Sequence, residues 1–301
     1  MEDEQIEKTF KKKFGKFYNK NYKFLLLIPI LILALSFVYM GVFYANTGEI
    51  IYRDFTLAGG TSATIIGDVN GEMLEKDLAY SLDEINIRQI YDISTREQTA
   101  LVVETKTEIN EAKEVLENYL GYNLDEENSS FEFTEPKLGE TFYKQLLSAL
   151  FFAFFFMALI VFVIFRSFVP SVAVIISAFA DIFMTLTLVN ILGIKLSSGG
   201  LVAFLLLIGY SVDTDILLTN RLLKRSEGNV NERIFSSFKT GMTMTLTSLL
   251  AVSFALFISM SFSNLLTQIF TILAIGLGFD MFNTWITNAS LLKWYVSRNE
   301  R

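Results

Sequence analysis

The stretch Leu201–Arg221, LVAFLLLIGYSVDTDILLTNR, decides how the rest of the chain reads. As a helix it is about 31 Å long at 1.5 Å per residue, the thickness of a bilayer's hydrocarbon core. Asp213 and Asp215 lie in its second half. A carboxylate at such depth costs at least about 2.5 kcal/mol, so it normally faces a bundle interior or water and marks a path for an ion, a proton or a substrate. The rest of the chain must therefore supply that interior.

Composition agrees. The 301 residues are 52% hydrophobic with 29 Phe, and the mean hydropathy is +0.43, which places the chain among membrane proteins. Further apolar runs at Phe24–Ala45, Lys144–Arg166, Phe168–Leu192, Thr243–Met260 and Thr267–Leu292, with a fourth span drawn at Ser197–Arg221, make six transmembrane helices. The run 24–45 follows a basic segment, 1–23, holding Lys8, Lys11, Lys12, Lys13, Lys16, Lys20 and Lys23. It is too long for a signal-peptide core and lacks a small-x-small cleavage site, so it reads as a retained helix. Loops on one side hold Arg166, then Arg221, Lys224, Arg225, Arg233 and Lys239, then Lys293, Arg298 and Arg301 of the tail 293–301; short loops on the other hold Lys195 alone. The positive-inside rule then predicts a multi-pass protein of the cell membrane with both termini cytoplasmic and residues 46–143 outside.

Residues 46–143 are of another kind, with 21 Asp and Glu against 7 Lys and Arg. That acidity argues against a nucleic-acid partner. Strand patterns at Ile50–Phe55 and Ala63–Ile66, split by Gly59-Gly60, read as one bulged or bent strand. Leu74, Leu78, Leu82 and Ile85 recur at helical spacing; Ile87–Ile93 and Ala100–Thr105 alternate; Ile109–Leu120 is a second helix, and Phe131–Phe133 a last strand. The order β-α-β-β-α-β is that of a ferredoxin-like unit. The predicted fold class is thus an α-helical polytopic membrane protein with one α+β ferredoxin-like extracytoplasmic domain between helices 1 and 2. Helices 2–6 occupy 144–292, with an amphipathic cytoplasmic segment at 229–239 in which Asn229 and Glu232 form a capping box.

With no His and no Cys, thiolate or imidazole metal sites and Cys or His nucleophiles are excluded, and proton chemistry must run on carboxylates. No cofactor or metal is expected. The acids placed within spans are Asp181, Asp213, Asp215 and Asp280, at depths that let three helices share a polar layer. Asp213 and Asp215 are two apart, about 200° around a helix, so only one of them faces that layer. Asp213 is the first candidate and Asp215 the second, with Asp181 and Asp280 beside them. Structural hydrogen bonding is the plain alternative for each, as interfacial snorkelling is for Arg221.

The run Ile208–Lys224, IGYSVDTDILLTNRLLK, containing Gly209-Tyr210-Ser211, resembles the fourth-helix signature of the SecD/SecF family on its SecF side. Asp54-Phe55 leading to Gly59-Gly60-Thr61 is similar to the motif that follows the family's first helix. The resemblance covers nearly the whole chain. It implies a subunit of the Sec protein-export machinery, related to the resistance-nodulation-division transporters, that pairs with SecD, works beside the SecY channel on a secretory polypeptide within membrane lipids, and draws on a proton or sodium gradient. Two departures stand out. The family's acid, commonly in an Asn-Asp-Thr run, falls on Thr214 between Asp213 and Asp215, a form resembling archaeal members. The Arg that enters the fifth helix in bacterial members falls on Thr240, with Lys239 beside it, so the Asp–Arg relay does not transfer residue for residue.

Rival readings are a structural partner with no ion site of its own, a small-molecule exporter, and an intramembrane aspartyl protease. The protease motif Gly-x-Gly-Asp is missed by one residue, because Phe279 separates Gly276-Leu277-Gly278 from Asp280. The expectation is a transport protein and no enzyme.

Overall fold

The computed structural model describes residues 2–92, 94–224, 228–261 and 263–299, with the side chains of 2–17, 19–20 and 299 left aside. Ile93 at the predicted strand end, Arg225 of the inner loop, the last two tail residues and the side chains of Lys8, Lys11, Lys12, Lys13, Lys16 and Lys20 lie outside that description.

The chain is mostly helical. Among the described residues six helical stretches are long and apolar enough to cross a membrane: Asn21–Thr47, Pro136–Phe165, Phe168–Ile191, Ser198–Lys224, Val230–Ser259 and Asn264–Arg298. They belong to α1 (Glu2–Thr47), and, after a short α2 (Phe55–Ala58), α3 (Gly71–Leu78) and α4 (Ile109–Leu120), to α5 (Pro136–Phe165), α6 (Phe168–Ile191), α7 (Ser198–Lys224), α8 (Val230–Ser259), α9 (Asn264–Phe282) and α10 (Ala289–Asn299). α9 and α10 are joined by a π-helical turn, Asn283–Asn288. α7 is the central rod, packed against α5, α6, α8 and α9. α5 is the opposite case: Phe151, Phe152, Phe155 and Phe156 all face outward, as expected of a helix solvated by lipid.

Between α1 and α5 stands a sheet of β1 (Gly60–Ile66), β2 (Asn86–Tyr91), β3 (Gln98–Thr105) and β4 (Ser129–Thr134), in the order β2-β3-β1-β4 and antiparallel throughout. Its helices, α3 and α4, lie against one face. Alternate residues Ala63, Ile65, Leu101 and Val103 meet Leu74, Leu78, Ala112 and Leu116 there, the period-2 and period-3.6 faces that the sequence displays. Asn70 starts α3 by accepting from the Met73 amide at 3.0 Å, and Gly121 ends α4 with φ +76°.

Two expectations are corrected. Ile50–Phe55 is not the first half of a bent strand. Asp54 instead caps α2, its Oδ1 accepting from the Thr56 amide at 3.0 Å and the Thr56 hydroxyl at 2.6 Å, so the chain turns helical before the sheet begins at Gly60. The extended residues just before it pair with the α6–α7 loop: Leu196 N donates to Tyr52 O at 2.6 Å and Asp54 N to Leu196 O at 3.1 Å. Second, 229–239 is no separate surface helix. The predicted capping box is present, but nothing between it and Thr243 stops propagation, and the segment forms the first turns of α8.

Gly59 is where geometry demands glycine. It has φ +85°, and an added Cβ would stand 2.3 Å from Pro136 Cα at the start of α5. The sheet is therefore rooted against the bundle at this point. The bundle end that carries it is called the sheet end below, and the end that carries the α7–α8 connection the far end.

Candidate functional site

Asp181 on α6, Asp215 on α7 and Asp280 on α9 are all buried, and their partners come from one another's helices. Ser211 Oγ donates to Asp181 Oδ2 at 2.5 Å and Asn283 Nδ2 to Asp181 Oδ1 at 2.7 Å. Asp215 Oδ1 accepts from Asn288 Nδ2 at 2.7 Å and Thr284 Oγ1 at 2.9 Å, with Ser177 Oγ at 3.4 Å. Asp280 faces Thr214 Oγ1 at 3.1 and 3.2 Å and Thr284 Oγ1 at 3.2 Å. Among the described residues no Lys or Arg side chain bonds any of the three.

The π-turn explains why Asn283, Thr284 and Asn288 converge on the carboxyls. In α geometry residues five apart diverge around the axis, whereas the wider π turn closes i→i+5 and brings such residues into line. Asn283 and Asn288 thereby both point at the layer, one reaching Asp181 and the other Asp215.

Hydroxyl protons are too few for the contacts. Thr284 has one proton and two carboxyl neighbours, and Thr214 lies 2.9 Å from Ser211 O as well as beside Asp280. When a hydroxyl spends its proton elsewhere, its contact with a carboxyl is a hydrogen bond only if the carboxyl donates. Two hydroxyl protons thus serve four contacts, and which of these are hydrogen bonds depends on whether the carboxyls carry protons of their own.

The remaining sequence candidates lie elsewhere. Asp213 is exposed, beside Ile216, Leu217, Asn220, Arg221 and Lys224 on an open groove of α7. The order of preference between Asp213 and Asp215 is thus reversed for the layer that this chain builds by itself. Thr240 accepts from Arg221 Nη1 at 3.0 Å, and Arg221 also donates to Ser236 O at 2.7 Å. Arg221 therefore ties α7 to α8, and Thr240 with the exposed Lys239 stands on that seam.

A family model for the SecD/SecF protein-export membrane protein, C-terminal region, matches residues 114–298. The chain is 38% identical over 288 residues to the protein-export membrane protein SecF of Methanolacinia petrolearia, covering 90% of this chain and 93% of the relative. It is 36% identical to that of Methanocaldococcus jannaschii over 92% of this chain and 97% of the relative. The chain belongs to the SecD/SecF family.

Among solved structures, its fold matches the crystal structure of SecDF, a translocon-associated membrane protein, from Thermus thermophilus, with TM-score 0.73 and 19% identity over 94% of this chain. A super-membrane-facing form of SecDF matches with TM-score 0.61 and 19% identity over 93% of this chain. This chain spans 38% of the first SecDF chain and 39% of the second.

The residues singled out between 54 and 61 have a positional part. Asp54 caps α2, Gly59 and Gly60 take positive φ, and Thr61 Oγ1 donates to Thr107 O at 2.7 Å. An added Cβ on Gly60 would stand 2.3 Å from Thr105 O. In the helical signature, Ser211 serves the layer, while Gly209 and Tyr210 share the outward face with Asp213. Sequence reasoning missed Asn283, Thr284 and Asn288. Their signal was Asn-Thr followed four and five residues on by Thr-Asn, in an otherwise apolar run.

Proposed function

We propose that the chain is the SecF partner of a SecD subunit in the Sec machinery, and that its carboxyl layer binds and releases a proton or a sodium ion as the export cycle turns. The observation that carries this reading is the layer itself: Asp181, Asp215 and Asp280, buried together and hydrogen-bonded to neutral donors alone. Three like acids without a cation are costly when ionised together, so the layer's occupancy and its packing depend on one another. An ion that binds one arrangement more tightly shifts the helices toward it.

The outward face of α7, with Val202, Leu206, Gly209, Tyr210 and Asp213, is the proposed seam with SecD. It presents a small residue where another helix can approach closely. Asp213 then serves at the seam between subunits and Asp215 within this one. The sheet with α3 and α4 is read as a ferredoxin-like extracytoplasmic domain that meets the secretory polypeptide emerging from SecY, with both termini cytoplasmic.

Gradient-stimulated secretion from vesicles tests the ion role. Asp215→Asn and Asp280→Asn are each expected to abolish the stimulation while SecD still copurifies. Unchanged stimulation in both would leave a structural partner whose ion site lies wholly in SecD.

A further inference from the structure

Eight buried side-chain polar atoms lack a hydrogen-bond partner among the described residues, and five of them lie on α7, the π-turn and α8, the last two packed on α7. The five are Asp215 Oδ2 and Thr219 Oγ1 on α7, Asn288 Oδ1 and Trp285 Nε1 on the π-turn, and Thr245 Oγ1 on α8. Every one of these side chains is more than nine-tenths buried. Thr219 lies one helical turn from Asp215 toward the far end. Trp285 lies on α8 at Gly241, where an added Cβ would stand 2.4 Å from its ring, and Thr245 is one turn along the same face. Unpaired, buried polar atoms thus stand on three elements that pack together beside Asp215. Natural proteins satisfy such atoms with ordered water.

The two directions out of the layer differ. Toward the sheet end, α7 runs roughly 26 Å from Asp215 to Ser198, and Leu201, Phe204 and Leu207 pack there against Ile272, Leu273 and Leu277. Toward the far end only about 14 Å of α7 remains, and Leu218, Leu222 and Ile234 belong there to an apolar cluster with Ala173, Trp285 and Leu292, smaller than the one on the sheet side.

We infer that Asp215 exchanges its ion with the far end of the bundle, through a file of water lined by Thr219, Asn288, Trp285 and Thr245 and closed by the apolar cluster that holds Leu218, Leu222 and Ile234. This rests on the reading of Asp215 as an ion-binding group, but the side from which it is reached is a separate property with its own measurement.

The chain has no cysteine, so each substitution is its single thiol, and the unsubstituted preparation supplies the partner's background. The full chain, with its copurified partner, is reconstituted in liposomes and treated from one side at a time with the permanently charged 2-(trimethylammonium)ethyl methanethiosulfonate. Lys224→Cys and Tyr80→Cys, both at exposed positions, mark the far and sheet sides and report an intact fold. Thr219→Cys, with Thr245→Cys as a second variant, is expected to react severalfold faster from the Lys224 side, and Leu222→Ala is expected to raise that rate while both markers keep theirs. Faster reaction from the Tyr80 side overturns the inference. So does a rate no greater than that of Leu207→Cys in the apolar seal, or one that Leu222→Ala leaves unchanged. If Asp215→Asn spares ion coupling while Thr219→Cys keeps its sidedness, the path stands and the ion role falls; the converse pair of results removes the path alone.

Discussion

Asn288 and Thr284 hold Asp215 by a single oxygen, which makes each of them a sensitive position. Asn288→Leu removes a donor from a buried carboxyl and adds nothing in return. Such a loss costs about 1–3 kcal/mol, expected as a lowered thermal midpoint of the detergent-solubilised chain. Asp215→Asn in the same background should recover part of it, because the group left short of partners is then neutral. That the layer would contain acids was legible at once, since Asp181, Asp215 and Asp280 interrupt apolar runs. Which acid of the Asp213–Asp215 pair faces inward was not. A two-residue offset fixes their angular separation, but the phase of the helix is set by Leu207, Leu218 and the other packing residues, whose partners lie on distant segments. The supporting amides escaped for a related reason: Asn283 and Asn288 align only in a π-turn, and a reader counting at 3.6 residues per turn places them apart.

At the scale of elements, the root of the sheet carries two expectations. Burial, with Glu104 nearby, pushes Asp54 up to about 6 from its ordinary 3.8, against the opposing hydrogen bonds from Thr56 and the more distant Arg88. A carboxyl whose folded value is raised favours the protonated fold, so its contribution is complete below about pH 4 and is lost as pH rises through about 6. Because Thr56 Oγ1 in turn accepts from the Ser198 amide at 3.0 Å, the protection factor of that amide, its exchange corrected for the base catalysis common to all amides, should fall between pH 5 and pH 7. Asp54→Asn, which keeps the accepting oxygen, should flatten the dependence. Gly59→Ala tests the backbone directly. A positive φ alone costs an L-residue about 1–2 kcal/mol, and the clash with Pro136 adds to it, so a clear loss of thermal stability is expected. The sequence showed the β-α-β-β-α-β order well, because alternation and helical spacing are local. It concealed α2, a single turn that exists because Asp54 caps it and the α6–α7 loop takes up the strand-like residues ahead.

For the whole molecule the six spans were legible from hydropathy alone, while the proposed assembly rests on the chain's membership of the SecD/SecF family. Gly209 gives a way to examine the assembly without disturbing the chain. It is exposed, and an added Cβ meets nothing within 4 Å, so Gly209→Leu should leave the fold intact and gain about 1 kcal/mol of helix propensity. If this face is the seam with SecD, copurification should nevertheless fail. The final consequence belongs to the main-chain pairing of Tyr52, Asp54 and Leu196. It fastens the foot of the sheet to the loop that opens α7, while Gly59 abuts α5. A domain hung on a flexible tether would absorb motion in the bundle as slack. One clamped like this would behave as a crank arm: a tilt of α7 too slight to register among the carboxyls would be delivered as a sweep at the sheet's outer rim, where Ile66 and Tyr91 stand exposed.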